Sequence, residues 1–115
     1  MALVLREEDV RILLTMPDTV AILEQAFGAL ADEIAINLPR HRIKLTNGVL
    51  HMLAAAAPTL DVLGYKSYTA FPEGVRFVVM LYGAQDGKLL AINEADWLGR
   101  MRTGGTSGLA TKYLA

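Results

Sequence analysis

Residues 62–71 read Val-Leu-Gly-Tyr-Lys-Ser-Tyr-Thr-Ala-Phe, and they predict a long β-strand. A Pro-Glu-Gly turn follows at residues 72–74, and an apolar run at residues 76–82 predicts the next strand. Gln-Asp-Gly at residues 85–87 then predicts a second tight turn before another strand at residues 89–92. These turns are short, so consecutive strands should pair antiparallel as hairpins.

A further hairpin is predicted upstream. Residues 40–45 and 49–53 are extended runs, and the Asn47-Gly48 pair between them is a strong hairpin signal. Alternation along the first run places Arg40, Arg42 and Lys44 on one face. Such a face is either a solvated sheet edge or a wall that attracts an anion. The solvated interpretation is favoured for Arg42 and Lys44, and Arg40 is left open.

Helical patterns precede and follow these strands. Residues 2–5 predict a short strand, residues 7–14 a first helix, and Pro17 the first turn of a second helix with apolar residues at helical spacing. Strands linked by hairpins and flanked by helices indicate an α+β fold. We therefore predict N-terminal helices packed on a mixed, largely antiparallel sheet, ending in a Gly-rich turn and a helix.

That predicted turn lies in residues 100–108, which read Arg-Met-Arg-Thr-Gly-Gly-Thr-Ser-Gly. We expect a short helix from Asn93 or Glu94, a turn at the glycines, and a last helix over residues 109–114. The free N–H groups of that last helix, with Arg102, would form an anion site. Alternatively this is a plain loop with both arginines in solvent, and composition alone favours the loop.

Lys66 stands in the middle of the long strand at residues 62–71. A lysine among Tyr, Leu and Ala on a sheet is uncommon unless it is paired or reaches a cavity. The alternative is a side chain at a sheet edge that extends its amine to solvent.

The amino-acid composition limits the classes of protein to which the chain can belong. A chain of 115 residues forms about one domain, and its net charge of −1 gives no reason to expect nucleic acid or a membrane as partner. There is no cysteine, so disulfides and thiolate metal sites are excluded, and we predict no metal site. Hydrophobic residues make up 53% of the chain, which favours a homo-oligomer. The N-terminus has no signal-peptide core, so we expect a cytoplasmic protein.

Three separated motifs resemble those of the ornithine cyclodeaminase and mu-crystallin family. They are Leu38-Pro39-Arg40, Gly64-Tyr65-Lys66, and the segment from Asn93 through Arg102-Thr103 to Ala115. Their order and spacing hold along essentially the whole chain. The resemblance implies the N-terminal substrate-binding and dimerisation domain of an enzyme that uses NAD or NADP to act on a small amino or imino acid. Such members include cyclodeaminases, dehydrogenases and ketimine reductases.

The resemblance also assigns roles to residues. Arg40, Lys66 and Arg102 would bind the substrate carboxylate, with Lys66 as the catalytic residue that aids proton movement. Arg102 and Thr103 would border the cofactor. The family's glycine-rich dinucleotide motif has no counterpart in residues 1–115. We therefore expect a single truncated domain that binds no cofactor alone and is inactive alone. The alternative is a stand-alone homodimer without catalysis, which binds a small carboxylate such as an amino or keto acid or acts only as an interaction module.

Overall fold

The computed structural model describes residues 2–114. Its elements in chain order are β1 (Leu3–Leu5), α1 (Glu7–Leu13), α2 (Met16–Ala31), β2 (Ile36–Asn37), β3 (His41–Lys44), β4 (Val49–Ala57), a 3-10 turn (Pro58–Leu60), β5 (Val62–Phe71), β6 (Gly74–Gly83), β7 (Leu89–Glu94) and α3 (Asp96–Leu114). The predicted α+β class is confirmed.

The strands form one mixed sheet in the order β1-β7-β6-β5-β4-β2, with β3 also paired to β4. Strands β4 to β7 are antiparallel neighbours, and β1 joins β7 in parallel. The predicted hairpins at Asn47-Gly48 and at residues 72–74 and 85–87 therefore all form. Strand β5 has the predicted limits, whereas β4 continues through the alanine run to Ala57, because these alanines pair with the start of β5. The short strand β2 was not predicted.

Helix α3 corrects the prediction for the glycine stretch. Residues 96–114 form one uninterrupted helix, so there is no Gly-rich turn and no second helix start at Leu109. The N–H groups that were expected to bind an anion lie inside the helix and bond its carbonyls. The hydroxyls of Thr103 and Thr106 donate to the carbonyls of Gly99 and Arg102, each at 2.9 Å. The anion-site interpretation of the glycines is therefore wrong.

The glycines instead permit a close helix crossing. A Cβ at Gly105 would lie 2.8 Å from both Leu23 Cδ1 and Thr19 Cγ2 of α2, closer than carbon atoms can approach. Both Gly105 and Thr19 are buried at this crossing. Helices α1 and α2 pack mainly on α3, which contacts β6.

We expect Gly105→Ala to destabilise the fold by about 1–2 kcal/mol, because the overlap with α2 outweighs the better helix propensity of alanine. Gly108→Ala is the matched control, since its Cβ would lie 3.7 Å from Val20 Cγ2, an ordinary contact. That control should be neutral or gain up to about 1 kcal/mol. Urea unfolding of the three proteins measures both effects, and equal midpoints for the two variants would contradict the close crossing.

Two different faces result from the register of the sheet. One face carries Lys66, Tyr68, His51, Phe77 and Arg42, which occupy matching positions on β3 to β6, and we call it the site face. The opposite face, which we call the apolar face, carries Ile43, Met52, Leu63, Tyr65 and Met80 among others. Ile43 is 53% exposed and Leu63 and Tyr65 are each 39% exposed. The apolar face is therefore largely uncovered in a single chain.

Candidate functional site

Lys66 lies at the centre of the site face. Strand β5 is flanked by β4 and β6, so the alternative of a lysine at a sheet edge is wrong, and Leu53 and Val79 stand directly opposite it. Its amine is 5.7 Å from the ring centroid of Tyr68 and 5.6 Å from that of Phe77. Burial lowers the pKa of Lys66, and the positive charges of Arg102 and then Arg40 lower it further. The charges of two arginines from separate elements thus both act on the Lys66 amine.

Arg40 precedes β3 and reaches across β4 to the site face. Its Nη1 donates a hydrogen bond to the hydroxyl of Tyr68 at 2.8 Å, and its guanidinium carbon lies 5.8 Å from the same ring centroid. Arg42 and Lys44 are exposed, as Arg40 is, and they lie on the outer strand β3. Of the three, Arg40 is the one that hydrogen-bonds Tyr68.

Arg102 lies on α3, close enough for its charge to act on Lys66. The helix is fixed at its start, because Glu7 accepts hydrogen bonds from the backbone N–H groups of Asp96 and Trp97, each at 2.8 Å. Asp96 Oδ1 in turn accepts the N–H of Phe77 in β6 at 3.1 Å. The side chain of Arg102 is exposed but near enough to depress the pKa of Lys66. Thr103, next along the helix, is also exposed.

His51, Tyr68 and Phe77 were missed by the sequence reasoning. They stand directly opposite one another on β4, β5 and β6, and their rings pack in a row. The centroids of His51 and Tyr68 are 4.4 Å apart at 12°, and those of Tyr68 and Phe77 are 4.5 Å apart at 37°. Alternation from Lys66 to Tyr68 was the available signal, because residues two apart share a face of a strand.

His51 is a weaker base than a free histidine. Burial lowers its pKa, and the charges of Arg40, Arg42 and Lys44 lower it further. Its Nδ1 is buried without a hydrogen-bond partner. The imidazole is therefore neutral at neutral pH, and it adds a flat ring rather than another positive charge.

The arrangement suits a small carboxylate. Guanidinium groups pair with carboxylates through two parallel hydrogen bonds, and a lysine with a lowered pKa exchanges its proton more readily near neutral pH. A cavity of about 420 Å³ lies elsewhere, between α2 and α3, and none of the three cations lines it. Within residues 2–114 no cluster of His, Asp and Glu side chains could hold a metal ion.

A model of the ornithine cyclodeaminase/mu-crystallin family matches residues 1–115. The chain belongs to this family. Among curated members, it is 31% identical over 98% of its length to a Delta(1)-pyrroline-2-carboxylate reductase of Bacillus cereus (strain ZK / E33L). The chain spans 38% of the length of that relative.

Several solved structures have the same fold. A probable ornithine cyclodeaminase from Bordetella pertussis Tohama I superposes with a TM-score of 0.95 at 30% identity, over 100% of this chain and 37% of that one. An archaeal alanine dehydrogenase dimer with bound NAD gives 0.92 at 27% identity, over 99% and 37%. The Thermococcus litoralis Delta(1)-pyrroline-2-carboxylate reductase in complex with NADH and L-proline gives 0.90 at 30% identity, over 98% and 38%.

In the part of the chain that the structure describes, no helix is long and apolar enough to cross a membrane.

Proposed function

We propose that this chain is the substrate-binding and dimerisation portion of an NAD(P)-dependent enzyme acting on a small amino or imino acid. The observation that carries the proposal is the position of Lys66, half-buried beside an aromatic row and within the fields of Arg40 and Arg102. Family membership and the names of the relatives support the class of reaction.

In this proposal Arg40 and Arg102 hold the two oxygens of the substrate carboxylate. Lys66 hydrogen-bonds the substrate beside it and moves a proton, since its pKa is lowered toward the range in which both protonation states are used. Thr103, next to Arg102, would stand at the border with the nicotinamide cofactor.

The glycines of α3 do not form a glycine-rich dinucleotide motif. The glycines of α3, at positions 99, 104, 105 and 108, all lie within one helix rather than in a turn between a strand and a helix. We infer that the chain alone binds no NAD or NADP and transfers no hydride. NADH fluorescence should therefore not change on titration with this chain, and tight NADH binding by it would contradict the inference.

Charge favours an imino acid over a diamino acid. Every charged group that shifts the pKa of Lys66 or His51 is a cation. A second ammonium on the ligand, as in ornithine, would be repelled by these groups, whereas a planar ring would pack on the aromatic row. The substrate we favour is thus a cyclic imino acid, in agreement with the pyrroline-2-carboxylate reductase among the relatives.

The test is the binding of pyrrole-2-carboxylate, a stable planar analogue of such an imino acid. Calorimetry and NMR of the isotope-labelled chain measure this binding. We expect a dissociation constant of about 1 mM, because Arg40 and Arg102 are both exposed to solvent. Ornithine at the same concentration should not compete. Failure of pyrrole-2-carboxylate to bind, or tighter binding of ornithine, would reject the proposed ligand class.

Binding should be coupled to proton uptake. The pKa of Lys66 lies below its usual 10.5 in the free chain, and a bound carboxylate would favour the ammonium and raise that pKa. Between the free and bound values, each binding event therefore takes up a fraction of a proton. Calorimetry at alkaline pH in two buffers of different ionisation enthalpy measures this uptake, and Lys66→Met should abolish it. Equal apparent enthalpies in both buffers for the unchanged protein would contradict the role of Lys66.

We further propose a homodimer formed through the apolar face. The chain exposes 7998 Å², whereas a folded monomer of 12.5 kDa is expected to expose about 6,200 Å². Part of the exposed apolar surface lies on one side of the sheet, as described above. The archaeal alanine dehydrogenase of the same fold is a dimer, which supports this assembly.

A further inference from the structure

Tyr68 touches more of the site than any of the three cations does. Its hydroxyl accepts a hydrogen bond from Arg40 at 2.8 Å, and its ring centroid lies 5.8 Å from the Arg40 guanidinium carbon and 5.7 Å from the Lys66 amine. One aromatic side chain therefore contacts two like charges that would otherwise repel each other.

The ring of Tyr68 is itself held on both sides. It stacks on His51 from β4 and packs at a tilt of 37° against Phe77 from β6, at 4.4 and 4.5 Å between centroids. The three residues are directly opposite in the sheet register, so the row is fixed by the backbone pairing. Phe77 is further tied to α3 through its N–H, which donates to Asp96. The Tyr68 hydroxyl thus has a defined position.

Arg40, in contrast, has little support of its own. It precedes β3, an outer strand, and its side chain is exposed. Among the described residues, the Arg40 guanidinium makes one hydrogen bond, and its partner is the Tyr68 hydroxyl. A long side chain with several rotatable bonds loses affinity for a ligand when binding must first order it. The hydroxyl of Tyr68 removes part of that cost.

We propose that Tyr68 is a positioning residue that acts through Arg40. Its hydroxyl holds the guanidinium over the site face before the ligand arrives, and the His51–Tyr68–Phe77 row fixes the hydroxyl. The proposal deepens the function proposed above and rests on it for the identity of the ligand. The arrangement of Arg40 in the free protein does not depend on that identity.

The test is a double-mutant cycle on binding of pyrrole-2-carboxylate. Tyr68→Phe keeps the stacked ring and should weaken binding about fivefold to tenfold. The same change in an Arg40→Ala background should alter affinity by less than about twofold, because the residue through which it acts is gone. An equal loss in both backgrounds, or no loss in either, overturns the proposal.

Tyr65→Phe is the matched control, since it removes the hydroxyl of another tyrosine on β5 that lies on the opposite face of the sheet. It should leave the affinity unchanged. A similar loss for Tyr65→Phe would show that the effect is a general one on the strand, and the proposal would fall.

A second measurement separates the two proposals. In ligand-free protein, ¹⁵N relaxation of the Arg40 Nε–H group should show greater mobility in Tyr68→Phe than in Tyr65→Phe. If pyrrole-2-carboxylate does not bind the unchanged chain, the proposed function fails, and this measurement still decides the role of Tyr68. Equal mobility of Arg40 in the two variants overturns the positioning role.

Discussion

Replacing Arg102 with alanine is expected to weaken binding of pyrrole-2-carboxylate by about tenfold to a hundredfold. A hydrogen bond to a charged group contributes about 1.5–3 kcal/mol, and solvent exposure of Arg102 favours the lower part of that range. The loss should be larger at low ionic strength, because salt screens the exposed pair. Calorimetry of both proteins at two salt concentrations measures the effect.

Arg100→Ala is the control for this prediction. Arg100 lies two residues earlier on the same helix, and a step of two residues turns about 200° around the helix axis, so it points away from Arg102. The net charge of the two variants is identical. If both variants lose affinity equally, the overall electrostatic potential of the protein explains binding rather than a specific contact. The assignment of Arg102 to the site would then be wrong.

The second large effect is expected on the formation of the homodimer. The unchanged protein should have a dimeric mass by light scattering at micromolar concentration. Leu63→Glu places a carboxylate on the apolar face, and in a symmetric dimer each substitution occurs twice at the interface. We expect the dissociation constant of the dimer to rise at least about thirtyfold, the effect of losing one strong interface contact.

Ile12→Glu is the control, because Ile12 is 80% exposed on α1, away from the apolar face. It should leave the mass dimeric. Ile43→Glu on the outer strand β3 provides a second interface variant in case Leu63→Glu impairs folding, which circular dichroism would reveal. A monomeric mass for the unchanged protein, or a dimer that survives both interface changes, would refute the proposed dimerisation face.

The hairpins were predictable because their signals are local. Asn47-Gly48 and Pro72-Glu73-Gly74 determine where the chain reverses, and alternation determines the faces of the strands between them. The parallel pairing of β1 with β7 was harder to predict, since it joins residues at opposite ends of the described chain. Strand β2 has only two residues, Ile36 and Asn37, and carries no pattern of its own.

Helix α3 shows where local rules fail. Four glycines and several hydroxyls predict a break, and an isolated helix of this composition would be unstable. The contacts of Gly105 with α2 and the carboxylate of Glu7 at the helix start stabilise it, and both come from residues far away in sequence. For the candidate site, charge and motif predicted Arg40, Lys66 and Arg102. The stacking of Tyr68 on His51 depends on register between strands, which the sequence did not specify.

The bonds from Glu7 to the start of α3 have a consequence for how the protein forms. Together with the pairing of Leu3–Leu5 to residues 91–93, they connect segments separated by nearly the entire described length. Contacts of such long sequence separation slow folding, because a large loop must close before they form. During synthesis the first strand therefore has no partner until β7 has left the ribosome. The sheet and the arginine-bearing helix should consequently be completed in one late step rather than from the N-terminus onward.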